Sequence, residues 1–210
     1  ENKAGAQRKM AAIFAADVVG YSKLMAQNEK LTLFRLKETR RTTDTIIQNL
    51  SGRIFSTAGD SVVAEFSSPV QCVKAAIKFQ DKLYERNEHS LTKLQLSWRV
   101  GIHVDDVIVE NNNIMGSGVN VAARLEGIAP PGGICISEIV QTTVKGKLDC
   151  GIIEKGQQKL KNIADPVKAY YLDIKTGEVD PKKFKTPTEK NKTTLFTGGL
   201  IAASIAALLF

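Results

Sequence analysis

Cysteine and histidine are scarce in this chain of 210 residues. Cys72, Cys135 and Cys150 make an odd set without a CxxC pair, which argues against a disulfide framework and for a reducing compartment, with the thiols as small core residues. His89 and His103 stand far apart with no partners at ligand spacing, which argues against a zinc site. No internal repeat is visible. The formal charge of +7 is modest, and much of the surplus falls between Lys175 and Lys192 rather than along a face. A distributed basic groove for nucleic acid is therefore absent from the pattern. Long apolar runs are also missing, with one exception at the end of the chain.

That exception is LFTGGLIAASIAALLF, Leu195 to Phe210, which carries no charge. Sixteen residues at ~1.5 Å each span ~24 Å, short of a ~30 Å hydrocarbon core. With no initiator Met at Glu1 either, the expectation is a fragment cut inside a transmembrane helix. The Lys-rich stretch before the run, KKFKTPTEKNK, predicts that the rest of the chain is membrane-anchored and faces the cytoplasm. The expected divisions are a flexible N-terminus (1–9), a globular domain (10–174), a Lys- and Pro-rich linker (175–194) and the start of the membrane helix (195–210).

Hydrophobic residues make up 43% of the sequence, enough for a sizeable core. AAIFAADVV reads as a buried strand, and apolar spacing predicts a helix from about Glu29 to Leu50, stopped by Gly52. RIFSTA and SVVAEF flank Gly59-Asp60, a tight hairpin signal. Pro69 opens a second helix to about Glu88. LQLSWRVGIHV alternates as a strand, with DDVIVE as its expected hairpin partner, and VNVAARLEGIA is a helix closed near Gly127. GICIS, the region around Gly151–Glu154, and KAYYLDI complete the strands. The order strand, helix, strand, strand, helix, strand predicts an α+β fold. Its core is a ferredoxin-like split βαβ, with helices on one face of the sheet.

Three segments carry chemistry. Asp17 ends the first strand and Asp60 tips the next hairpin, so in a split βαβ sheet the two carboxylates converge. Hard divalent cations take oxygen ligands and use one or two protein carboxylates plus substrate phosphates. After Asp17 the chain reads VVGYS, where Gly20, Tyr21 and Ser22 lead into a helix and their N–H groups form a phosphate cradle. In GSGVNVAARLE, Asn120 and Arg124 are four apart and share one helix face, where core packing calls for neither.

Jointly these segments resemble the class III nucleotidyl cyclases, over about Met10 to Ile174. The resemblance implies the class III cyclase fold and conversion of ATP to 3′,5′-cyclic AMP and pyrophosphate. Two divalent cations, Mg2+ or Mn2+, would sit on Asp17 and Asp60. It makes Asn120 the ribose-orienting residue and Arg124 the group that stabilises the pentavalent phosphorus. Both would reach across a homodimer with composite active sites. Lys161 is a candidate triphosphate ligand by the same resemblance.

The base pocket departs from the family pattern. Many adenylate cyclases of this class carry Lys and Asp where this chain has Ser56 and Asn113. Ser56 can donate to adenine N1 while the Asn113 carbonyl accepts from N6, but the amide can also turn over towards guanine. The expected substrate is ATP. Guanylate cyclase activity or relaxed purine choice is one alternative, and a nucleotide-binding or dimerising pseudo-cyclase is another. A polymerase-like palm shares paired carboxylates but lacks fingers, thumb and a basic groove here.

Overall fold

A computed structural model describes residues 7–90, 94–110 and 113–174. The elements are β1 (Gln7–Val18), α1 (Tyr21–Asn49), β2 (Gly52–Ala58), β3 (Ser61–Phe66), α2 (Pro69–Glu88), β4 (Trp98–Glu110), β5 (Asn113–Met115), α3 (Ser117–Ile128), β6 (Ile134–Ser137), α4 (Glu138–Val144), β7 (Gly151–Gln158) and β8 (Val167–Asp173). The strands form one sheet in the order β2-β3-β1-β4-β6-β8-β7, with β5 paired to β4. The first six elements give the predicted split βαβ core. All pairs are antiparallel except β4 with β6.

β1 is buried on both faces, and its alternation sorts two cores. Ala12, Phe14 and Ala16 pack with residues of α1, α2 and α4, whereas Ala11, Ile13 and Ala15 pack with Ala122 of α3 and Ile114 of β5. Helices therefore cover both faces, which corrects the expected one-sided arrangement. The early periodicity shows only the helices that follow β1 and β3, whereas α3 crosses back over the other face. DDVIVE is also no hairpin partner, because β4 runs unbroken to Glu110 opposite the whole of β1. Its partner is the short β5.

α1 begins at Tyr21, eight residues before the predicted start, but Asn28 has non-helical angles (φ −159°, ψ 87°). The Asn28 Oδ1 accepts the Leu31 N–H at 3.0 Å and so caps the second segment, which is the one the sequence periodicity finds. α2 matches its predicted limits: Ser68 caps it by accepting the Gln71 N–H, and Pro69 sits in its first turn. Buried Gln80 of α2 donates to the carbonyls of Trp98 and Gly133, fixing that helix to the start of β4.

The expected C-terminal transmembrane helix, and the membrane-anchored placement built on it, are corrected. Among the described residues no helix is long and apolar enough to cross a membrane. The 29-residue α1 is long enough, but its sequence is rich in Lys, Arg, Glu and Thr. The run 195–210 that prompted the expectation lies outside the described residues, as do the linker 175–194 and the extreme N-terminus. Within the described residues the fold is the α+β domain alone.

Candidate active site

The register places the two aspartates together. β1 pairs with β3 as far as Ala16 opposite Val62, so Asp17 falls next to the β2–β3 turn. That turn is two residues long, Ala58 pairing with Ser61, and Gly59 takes φ 57°, a conformation glycine adopts without a Cβ penalty. Asp60 is thereby held at the tip, half-buried, facing Asp17. Burial, then the hydrogen bond and charge of Asp60, lift the Asp17 carboxyl to about 6. Asp17 Oδ1 is buried without a hydrogen-bond partner.

Gly20 follows as the left-handed N-cap of α1 (φ 67°), with no side-chain cap and no acidic residue in the first turn. Its carbonyl takes the N–H groups of Lys23 and Leu24. The N-terminal turn, with Tyr21 half-buried and Ser22 exposed, is a cationic helix end beside two carboxylates.

Asn120 and Arg124 lie on the exposed side of α3, opposite the face that buries Val121, Ala122 and Leu125. Arg124 Nε donates to the Lys161 carbonyl at 3.2 Å, so the β7–β8 loop and α3 bring Lys161 and Arg124 together. Among the described residues no hydrogen bond or ion pair joins this group to Asp17 or Asp60.

Ser56 sits where β2 slips register, opposite Val63. Asn113 opens β5 and is exposed, its Oδ1 accepting the Ile114 N–H at 2.9 Å. Phe55, next to Ser56, packs against the apolar cluster that contains Ile114, next to Asn113, so β2 and β5 approach each other, while the Ser56 and Asn113 side chains themselves share no hydrogen bond among the described residues.

Residues 4–174 match the family of the adenylate and guanylate cyclase catalytic domain. The chain belongs to this cyclase family. A Rhizobium meliloti (strain 1021) protein, named as a candidate adenylate cyclase, is 37% identical over 180 residues, covering 85% of this chain and 31% of its own length. An adenylate cyclase of Streptomyces coelicolor is 31% identical over 130 residues, 61% of this chain and 32% of its own. The crystal structure of an adenylate/guanylate cyclase/hydrolase from Silicibacter pomeroyi has a TM-score of 0.76 at 37% identity, covering 80% of this chain and 99% of that one. The chain spans less than a third of the length of these curated relatives.

Some residues of this cyclase domain escape the sequence reading. Arg40 of α1 sends one Nη2 to two carbonyls, Gly59 and Ser61, each at 2.8 Å. It thereby grips both neighbours of Asp60. Arg99 lies opposite Asp17 in the β1–β4 register, and its Nε is 2.8 Å from Glu126 Oε1 on α3. Burial raises Glu126 to about 7, Arg99 offsets this, and the Asp17 and Asp60 charges add to it. The i, i+2 spacing of Arg124 and Glu126 shows that the latter faces inward, but nothing in sequence pairs it with Arg99. Gly101 lets α3 lie on the sheet: a Cβ there would meet Ala122 O at 2.1 Å and Glu126 N at 2.2 Å.

The donor set fits a hard divalent cation. Among the described residues no cluster of three or more His, Cys, Asp or Glu forms, so the carboxylates here are a crowded pair. A pair leaves coordination positions for phosphate oxygens, as Mg2+ prefers. The unpartnered Asp17 Oδ1 and the mutual repulsion of the pair are both relieved by a cation.

Proposed function

We propose that this domain is an adenylate cyclase that converts ATP to 3′,5′-cyclic AMP and pyrophosphate at the interface of a homodimer. The observation that carries this reading is that, among the described residues, no hydrogen bond or ion pair joins the carboxylate pair, Asp17 with Asp60, to Asn120 and Arg124, which lie on the exposed side of α3. Two half-sites on one protomer become two whole sites when a second copy docks about a two-fold axis.

In the reaction the ribose 3′-oxygen bonds to the α-phosphorus, the α–β anhydride bond breaks, pyrophosphate leaves and the 3′-hydroxyl proton is lost. Asp17 and Asp60 would hold two divalent cations, Mg2+ or Mn2+, which supply Lewis-acid activation of the hydroxyl and charge neutralisation at the phosphates. The N–H groups at Gly20, Tyr21 and Ser22 cradle the phosphates. Asn120 of the second copy orients the ribose, Arg124 meets charge on the phosphorane oxygens, and Lys161 beside it reaches the leaving phosphates. Catalysis is then mostly positioning and electrostatics.

Ser56 and Asn113 read the purine edge. One observation favours relaxed choice or GTP. With Asn113 Oδ1 engaged by the Ile114 N–H, the amide presents its NH2 group, a donor for guanine O6.

Complementation tests the composite site. Asp60→Ala and Arg124→Ala homodimers should each be inactive, and an equal mixture should regain about a quarter of wild-type activity, as one site in half the dimers of a two-fold assembly is whole. An inactive mixture of folded, co-assembled variants defeats the reading. Running ATP and GTP in parallel separates the two substrates.

A further inference from the structure

α1 and α2 leave a groove between them, away from every residue assigned above to catalysis, with a cavity of about 360 Å³. Arg41 lines it from α1, and Lys78, Lys82 and Arg86 line it from α2, against one acid, Glu38. The α2 cations recur every four residues and form one stripe, an arrangement that like charges disfavour unless an anion compensates.

Few of the described residues compensate them. Glu38 is engaged by Arg35 at 3.3 Å, and Lys82 turns to Glu85 at 2.5 Å. Among the described residues Arg41, Lys78 and Arg86 form no ion pair. Arg86 Nη2 donates to Thr42 Oγ1 at 3.0 Å, which fixes the guanidinium across the groove, while its Nη1 is buried with no partner. The C-terminal dipole of α2 accounts for a cation in its last turn, where Arg86 lies, but not for Lys78 two turns earlier.

We propose that the groove is a second anion site, separate from the catalytic one, taking a small ligand with two or more linked phosphate groups. From Lys78 to Arg86 the stripe runs ~12 Å along the helix, longer than one phosphate can bridge. The cavity volume is that of a small-molecule pocket. Cations that line one groove from two helices, Arg41 on α1 and Lys78 and Arg86 on α2, suit a compact soluble polyphosphate, whereas an anionic lipid surface calls for a continuous outward-facing basic face.

Inorganic pyrophosphate with a metal chelator present is the probe, followed by backbone amide NMR of the full chain. Saturable shifts are expected at Thr42, Thr45 and Asn49, weakening as salt rises. The Arg41→Glu/Lys78→Glu double variant should lower that affinity at least tenfold and leave cyclase turnover unchanged; Arg41→Gln/Lys78→Gln, a milder change, serves if the first fails to fold. Shifts confined to Gly20, Tyr21 and Ser22, or affinity unchanged in the variants, overturn the proposal. So does sedimentation with phosphatidylglycerol vesicles in the absence of pyrophosphate binding. Cyclase activity is scored separately, so the catalytic reading survives or fails independently.

Discussion

Replacing Arg40 with Gln should weaken the proposed metal site without touching either proposed ligand, Asp17 or Asp60. Arg40 holds the carbonyls on either side of Asp60, each at 2.8 Å, and so ties the hairpin tip to α1. Hydrogen bonds from a charged donor contribute about 1.5–3 kcal/mol each when nothing replaces them. Gly59 is exposed and the Ser61 carbonyl is only part-buried, so water replaces the first bond and part of the second, and the combined loss falls to about 1–2 kcal/mol. If that loss appears as a smaller population of hairpins with Asp60 in place, half-saturating Mg2+ rises by up to about 5–30-fold, at ~1.4 kcal/mol per tenfold. Turnover at saturating Mg2+ should recover most of its wild-type value, because every catalytic group is still present. Arg40→Lys, with one compact ammonium for two carbonyls, should fall between. The assay is cyclic-nucleotide formation over a Mg2+ titration at fixed free substrate, with the melting temperature measured in parallel. A Gln variant whose half-saturating Mg2+ stays within about twofold of wild type refutes the reasoning. So does a loss of turnover that excess Mg2+ leaves untouched.

Gly101→Ala should drive α3 off the sheet, since both nearest obstacles are helix backbone. A cost of about 1–3 kcal/mol or more is expected, read as a lower melting temperature together with loss of activity. In metal-free protein, stability should fall as pH rises from about 4 to 7. Asp17 and Glu126 ionise near 6 and 7 when folded but near 3.8 and 4.5 otherwise, so over this window the unfolded chain has released protons that the folded chain retains. Denaturant titrations at about pH 4.5 and about pH 7.5 check the sign, and added Mg2+ should restore more stability at the higher pH. Ser56→Lys with Asn113→Asp should sharpen the preference for ATP over GTP by roughly tenfold or more, because charge-assisted hydrogen bonds replace neutral ones. Competition between the two nucleotides measures it, and an unchanged ratio would remove Ser56 and Asn113 from the base pocket.

What can be read from sequence is local. The strand before Asp17, the hairpin at Gly59-Asp60 and the helix opened by Pro69 each announce themselves within a few residues, through burial, turn chemistry and capping. The order of those elements is then enough to give the split βαβ core and set β1 beside β3. Long-range choices are not legible. Nothing in GSGVNVAARLE says which face of the sheet α3 will cover. That is settled by Gly101 on β4, whose missing Cβ permits the close approach of the α3 backbone at Ala122 and Glu126.

Arg40 shows the same limit at the site itself. In sequence it is one of two adjacent arginines on a polar helix, and helical periodicity assigns it only a half-buried face. Its role appears when the β2–β3 turn folds back against α1, because backbone carbonyls carry no sequence signature. Arg99 and Glu126 are a second case: nothing in sequence pairs them, and only the β1–β4 register with α3 laid across Gly101 brings them together beside Asp17. The groups that would touch substrate are thus visible as residue types in short motifs, while the groups that hold them are visible only as geometry. This follows from the chemistry. Contact with a phosphate or a cation demands a particular side chain, whereas holding a hairpin or a helix in place can be done by any donor that the fold delivers to the right carbonyl.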